Sequence, residues 1–188
     1  MDEDANQQSK LKIQLEQMIA GDPKAFEEIL YAYEKSIFNH LRRLTGNSDD
    51  AADLLQETFV RLYKKRGQID VSNNFKNWLY AIATNIAYDH FRKKKHEKLI
   101  FIDDESELET IGQETSYTTI DLEILEHDLE SALREVRTHY RNILLLYYKE
   151  RFSYKEIADI LGLPLNTVKT HLRRAKEELG GLLKKTYG

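Results

Sequence analysis

The chain contains no cysteine, which excludes disulfide staples, thiolate metal ligands and a cysteine nucleophile. Its six histidines (His40, His90, His96, His127, His139 and His171) lack close metal-ligand spacing, so neither a metal nor a cofactor is expected. Only two prolines occur, Pro23 and Pro164, both at the edges of apolar-periodic segments, and β-type alternation is weak throughout. No apolar run is long enough to cross a bilayer, and the polar N-terminus does not read as a signal peptide. A cytoplasmic protein without membrane insertion is expected. A glycine-rich phosphate loop and a nucleophile–base pair are also missing, so the chain is not expected to be an enzyme. A length of 188 residues allows one or two small domains with modest cores.

What is present is charge, unevenly distributed. The net charge of −4 hides a block, residues 103–130, with eleven Asp or Glu and no Lys or Arg. Residues 134–188 hold twelve Lys or Arg against six acids, a net of +6, and a second cationic knot lies at Arg92, Lys93, Lys94, Lys95 and Lys98. Phosphate affinity follows local charge density, screened over about 8–10 Å, so two basic regions flanking an acidic one remain compatible with nucleic acid.

Helical periodicity accounts for most of the remaining sequence. From Asp22 to Leu44 the apolar positions Phe26, Ile29, Leu30, Tyr33, Ile37, Phe38, Leu41 and Leu44 form one stripe. Gly46-Asn47-Ser48 breaks it, with Ser48 or Asp49 as the next cap. A second helix, Ala51 to Lys65, is expected to bury Ala52, Leu55, Phe59 and Leu62. After a polar loop over Gly67–Asn74, a third runs from Phe75 to Lys94 with Phe75, Trp78, Leu79, Ile82, Ala83 and Ile86 inward. Residues 96–120 lose periodicity and read as an acidic linker. Helical spacing resumes near Leu122, with Leu125, Leu129, Leu133 and Val136 on one face.

Ser153 to Lys176 reads as two short helices joined by a tight turn. Ser153 is a good N-cap with Glu156 three residues on, and Ile157, Ala158 and Leu161 recur at helical spacing. Gly162 supplies a left-handed C-cap and Pro164 stops continuation. The second helix, starting near Asn166 or Thr167, buries Val168, Leu172 and Ala175 and exposes Lys169, Thr170, His171, Arg173 and Arg174. A helical hairpin can share this turn; the cationic outer face is what matches a DNA-reading helix-turn-helix.

The segments AFEEILYAYEKSIFNHLRRLTGNSDDAADLLQETFVRLYKK, FKNWLYAIATNIAYDHFRKKK and YRNILLLYYKERFSYKEIADILGLPLNTVKTHLRRAKEEL occur in this order. With DAADLLQETF and NWLYAIATN ahead of the helix-turn-helix, the chain resembles a bacterial alternative sigma factor of the extracytoplasmic-function (ECF) group of the sigma-70 family. The resemblance covers nearly the whole chain. It implies an all-α protein of two small helical domains: a sigma2-like helical bundle over 1–95 and a sigma4-like helix-turn-helix domain over 122–188, joined by an acidic flexible linker over 96–121.

The same resemblance assigns partners to surfaces. Asp53, Gln56 and Glu57 form a polar patch that reads alone as a solvated helix face; the resemblance implies docking on the β′ clamp of core RNA polymerase, with the β flap as a further contact. Lys76, Tyr80, Thr84, Tyr88 and Arg92 follow at i+4 spacing, with Asn77, Ala81 and Asn85 alongside and Asn74 at the end of the loop before them. Interleaved cations and aromatics suit single-stranded DNA, and the resemblance implies contact with the −10 promoter element and capture of an extruded base. The loop Ile69–Asn74 is the candidate pocket wall. Trp78 has two readings, core by spacing and melting edge by resemblance. Arg92 to Lys95 read as phosphate binders or as complement to a helix dipole. In the helix-turn-helix the resemblance implies −35 recognition, with Lys169, Thr170 and Arg173 on base edges and His171 and Arg174 on phosphates or flanking bases. Asn166 stands where the family often has Gly. The linker reads either as a solvated tether or as an acidic mimic of nucleic acid in the polymerase cleft. An anti-sigma partner is implied as well. The competing functional readings are a stand-alone dimeric helix-turn-helix regulator and a sigma-like decoy that titrates an anti-sigma factor.

Overall fold

The computed structural model describes residues 2–94 and 122–187, with side chains for 8–94 and 129–185. The expected linker over 96–121, the cations Lys95 and Lys98, His96, and the side chains of Leu125 and His127 lie outside the described residues. Among the described residues the regular structure is entirely helical: α1 (Asp2–Ile19), α2 (Pro23–Thr45), α3 (Ser48–Lys65), α4 (Phe75–Lys94), α5 (Leu122–Glu135), α6 (Thr138–Leu144), α7 (Tyr154–Leu161) and α8 (Leu165–Tyr187). A 3-10 turn over Arg66–Gln68 follows α3, and a π-helical turn over Leu145–Lys149 follows α6.

Helix boundaries follow local chemistry. The Asp22 carboxylate caps α2 by accepting from the Lys24 N–H at 2.9 Å, and Pro23 occupies the first helical position, where no amide donor is needed. The helix ends at Gly46, whose φ of 71° is easy only for glycine. The cap of α3 is Asn47, correcting the expected Ser48 or Asp49: its Oδ1 accepts from the N–H groups of Asp49 and Asp50 at 2.8 and 2.9 Å.

Two of the expected buried faces are rotated. In α2, Ile29, Ile37, Leu41 and Leu44 are buried as expected, but the core side turns toward Ala25 and His40, leaving Phe26, Leu30, Tyr33 and Phe38 partly covered. In α3 the buried set is Ala51, Leu54, Thr58, Phe59 and Leu62, while Ala52 and Leu55 lie nearer the rim. Thr58 can occupy this core because its hydroxyl donates back to the Leu54 carbonyl at 2.7 Å. The added helix α1 contributes Leu15 and Met18 to the same core, with Leu11 and Ile19 beside them.

Helix α4 departs most from expectation. Lys76, Tyr80, Thr84, Tyr88 and Arg92 are not one exposed stripe: Tyr80, Thr84 and Tyr88 are buried, Lys76 is half-buried, and Arg92 alone is exposed. The cause is burial on two sides. Phe75, Leu79, Ile82, Ala83 and Ile86 contribute to the hydrophobic core. On another side the C-terminal helices cover α4: the Tyr80 ring meets Phe152 edge-on at 5.0 Å, and Asn142 donates its amide to the Tyr88 hydroxyl at 2.9 Å.

In the C-terminal half, Ala132, Leu133, Val136, Tyr140 and Ile143 through Leu146 are buried. A capping box opens α7: Ser153 Oγ accepts from the Glu156 N–H, and the Glu156 carboxylate accepts from the Ser153 N–H at 2.9 Å. Ile157 is buried as expected, but Ile160 takes the second core position, with Ala158 and Leu161 partly covered. Gly162, at φ 65°, ends the helix in the expected left-handed conformation. Val168, Leu172 and Ala175 of α8 are buried as expected.

The guanidinium of Arg141, itself buried, ties the halves together. It donates to the Leu44 carbonyl at 2.8 Å, to the Val136 carbonyl at 2.9 Å and to the Arg134 carbonyl. Leu44 lies in the last turn of α2, whose carbonyls have no acceptor role within the helix and where a cation complements the dipole. Arg141→Met keeps the stem but leaves buried acceptors without a donor. It is expected to lower the unfolding free energy by about 1–3 kcal/mol in urea titration with helicity retained before the transition; an unchanged midpoint would remove Arg141 from this role.

Candidate docking and nucleic-acid surfaces

Asp53, Gln56 and Glu57 are all exposed on α3, as expected. Glu57 pairs with Arg61 one turn on, at 2.6 Å, in the favourable acid-before-base order. Beside this patch lies an apolar groove of about 560 Å³ between α2 and α3, lined by Phe26, Leu30, Leu55, Phe59, Val60 and Tyr63 with Glu34, Gln56 and Lys64. The sequence reading missed this groove because it assigned Leu55 to the core. The rotation of α3 that buries Leu54 brings Leu55 to the surface, next to the exposed Val60 and Tyr63.

On α4 the candidate residues divide into accessible and covered sets. Asn74, Asn77 and Trp78 line a cleft of about 630 Å³ together with Asn73 and Ala81; Lys155, Glu156 and Asp159 also line it. Trp78 stacks on Phe75 with centroids 6.2 Å apart, so it both packs on the core and faces this cleft. The Asp70 carboxylate holds the preceding loop by accepting from the Ser72 N–H, the Ser72 hydroxyl and the Asn73 amide. Asn85 is exposed, and Arg92 is paired with Asp89.

The covered set is Lys76, Tyr80, Thr84 and Tyr88. The Lys76 ammonium donates to the Glu150 carbonyl at 3.0 Å and sits 4.4 Å from the Phe152 ring centre. The Tyr80 hydroxyl donates to the Glu150 carboxylate at 2.5 Å; burial first, and then that carboxylate, push its ionisation far above the ordinary phenol range. Burial raises the Tyr88 phenol to about 12.

His40, fully buried on α2, meets the Tyr80 ring edge-on at 5.2 Å and places Nδ1 3.8 Å from the Glu150 carboxylate. Burial, and then the Arg43 guanidinium, lower its pKa to about 4, with Asn142 acting in the opposite direction. At neutral pH the imidazole is uncharged, and its contact with Glu150 is not an ion pair.

In the helix-turn-helix, α8 begins at Leu165, one or two residues ahead of the expected Asn166 or Thr167, so Asn166 stands inside the helix and does not cap it. The Pro164 carbonyl accepts from the Val168 N–H at 3.1 Å, opening the first turn. Lys169 and Arg173 are exposed, Thr170 is half-exposed, and Arg173 pairs with Glu177 at 2.7 Å. His171 corrects the expectation of an exposed residue. It is half-buried, with its ring against those of His139 and Tyr140 at 5.8 and 5.6 Å. Burial, with Arg174 and Arg137 nearby, lowers its pKa. Arg174 is half-buried as well.

A bundle whose fourth helix carries Asn77-Trp78 in its first turn, followed by a helix-turn-helix with a cationic outer face, has counterparts among known proteins. The family description Sigma-70 region 2 matches residues 30–97, and Sigma-70, region 4 matches residues 126–179. The ECF RNA polymerase sigma factor SigW of Bacillus subtilis is 32% identical over 90% of this chain and 94% of its own length. The chain belongs to the ECF sigma factors of the sigma-70 family. It is thus an alternative sigma factor, a class that directs transcription initiation. The sigma factor RpoE of Bartonella quintana, solved with the anti-sigma factor NepR, superposes with a TM-score of 0.64 at 28% identity, covering 86% of this chain and 98% of that one. CnrH, solved with the cytosolic domain of CnrY, shares the fold with a TM-score of 0.68 at 22% identity, covering 93% of this sigma factor and 97% of its own chain.

The buried imidazole makes a measurable signature. Its folded-state pKa of about 4 lies below the ordinary histidine value near 6.5, so on acidification the unfolded chain takes up the proton first. Stability present above pH 6.5 is therefore lost as pH falls toward 4, by on the order of 3 kcal/mol in total. Urea midpoints measured from pH 7 to 5 are expected to fall less steeply in His40→Leu than in the parent. Parallel slopes would mean that the imidazole is not held neutral.

Proposed function

We propose that this sigma factor binds core RNA polymerase through the Asp53, Gln56 and Glu57 patch of α3. Through α4 and the loop before it, the N-terminal helices contact the −10 promoter element, while α8 reads the −35 element. The observation that carries the reading is the two-sidedness of α8: Lys169 and Arg173 point outward from a helix anchored by the buried Val168, Leu172 and Ala175. That is the arrangement a major-groove helix needs. Thr170, with its methyl and hydroxyl, sits between the two cations, and Arg174 flanks them.

On α3, Asp53 and Glu57 stand beside Gln56, which lines an apolar groove, and this suits a partner surface carrying both basic and apolar side chains. Near the −10 element, Asn74, Asn77 and Trp78 supply amide hydrogen bonds and a ring face for an unstacked base, while Asn85 and Arg92 lie farther along α4 toward duplex phosphates. Two individually weak DNA contacts on one chain combine through effective concentration. The chemistry belongs to the polymerase; the proposed role needs no catalytic group here. The site of action is the cytoplasm, and a protein of the anti-sigma kind, as in the complex of RpoE with NepR, is the proposed regulator.

Core polymerase pull-down followed by run-off transcription on genomic promoter fragments tests this reading. Stoichiometric capture with new discrete start sites is expected. Asp53→Ala combined with Glu57→Ala is expected to weaken capture at least several-fold with unchanged helicity; normal capture would remove the α3 assignment. Arg173→Ala is expected to lose start-site selection while capture persists, and loss of both together would point to misfolding.

A further inference from the structure

The candidate DNA face of α4 and the packing of the two halves meet at Glu150. Its N–H donates to the Leu145 carbonyl at 3.1 Å, closing the π-helical turn, and the next residue, Arg151, is non-glycine with φ 62°. A non-glycine side chain disfavours that left-handed conformation, so the surrounding packing must hold it. The turn delivers three groups to α4: the Glu150 carboxylate to the Tyr80 hydroxyl, the Glu150 carbonyl to the Lys76 ammonium, and the Phe152 ring to both side chains. A second carboxylate, Glu156, accepts from the Asn74 amide at 3.1 Å while still serving its capping box.

Three donors of the proposed DNA face, on Asn74, Lys76 and Tyr80, are thus satisfied by oxygens of this chain's own C-terminal domain. We propose that the Glu150–Phe152 turn is an autoinhibitory latch, occupying the Lys76 and Tyr80 face of α4 as an acidic stand-in for DNA while Glu156 holds the adjacent Asn74, so that single-stranded DNA and the C-terminal domain compete for that face. The proposal rests on the reading of α4 as a DNA-contacting helix. The latch stands at the edge of an incompletely filled seam, since the cleft between Trp78 and Asp159 already opens beside it. Farther along, Arg141 on Leu44 and Asn142 on Tyr88 continue the seam. Complete separation therefore needs an external binder such as core polymerase, and releasing Glu150 lowers what that binder must supply.

The absence of cysteine makes the test direct. In the full chain, fluorophores at Lys12→Cys on α1 and Lys184→Cys on α8, both exposed, report the separation of the halves. Glu150→Ala and Glu150→Lys are expected to shift the distance distribution toward longer separations. They are also expected to bind fluorescein-labelled 15-nucleotide single strands of random sequence about ten-fold more tightly than the parent. Glu150→Gln, which keeps an acceptor for Tyr80, is expected to stay near the parent in both readouts, and circular dichroism checks that each variant is folded. An unchanged distance distribution in both Glu150→Ala and Glu150→Lys overturns the latch and leaves the α4 reading standing. Longer separations with no gain in DNA affinity overturn the masking, and with it the reading of α4 as a DNA face.

Discussion

Burial of the Tyr80 side chain between the two halves of the molecule is the constraint on which the rest depends. Its ring fills space against Phe152 and His40, and its hydroxyl has to find an acceptor in that dry setting, because an unpaired buried hydroxyl is costly. Glu150 supplies that acceptor, and the π-helical turn with the left-handed Arg151 delivers it. Around this contact the other polar groups of the seam fall into pairs: Lys76 with a carbonyl, Asn142 with Tyr88, and Arg141 with the end of α2. The low pKa of His40 follows from the same enclosure.

This packing explains why the surfaces of the protein are unequal. The α3 patch and its groove, and the outer face of α8, stand open among the described residues. The N-terminal part of α4 is split, with Trp78 and Asn77 facing a cleft while Lys76, Tyr80 and the preceding Asn74 are occupied. On the proposed assignment, the polymerase-facing and duplex-reading surfaces are thus available, and the proposed single-strand surface is engaged internally. That ordering suits a protein that should contact DNA strands only after joining the enzyme.

Much of the fold was legible in the sequence because most helices are one-sided. The stripe of Val168, Leu172 and Ala175, the capping box at Ser153 and the Gly162 terminus follow from local rules, as does the Asp22–Pro23 start of α2. The register of α3 was less legible, since adjacent Leu54 and Leu55 are equally apolar and only Thr58 bonding back to Leu54 shows which side turns inward. Helix α4 was legible as a helix and misleading as a surface. A helix covered on two sides presents aromatic and polar residues that look solvent-facing by spacing, so Tyr80, Thr84 and Tyr88 read as exposed. The buried His40, Arg141 and Asn142 have no local signature, because each faces a partner far along the chain: Glu150 for His40, the Leu44 carbonyl for Arg141 and Tyr88 for Asn142. Leu11, Leu15 and Met18 carried a helical signal for α1 that a polar flanking composition obscured.

The most direct test of the account is amide hydrogen exchange of the full chain, alone and with core RNA polymerase. In the free chain, exchange is expected to be slow together in α4 and in the 140–152 segment that covers it. With core polymerase, α3 should gain protection around Asp53–Glu57 while the 140–152 segment loses it. Unchanged exchange in α3 on adding stoichiometric core polymerase would contradict the account.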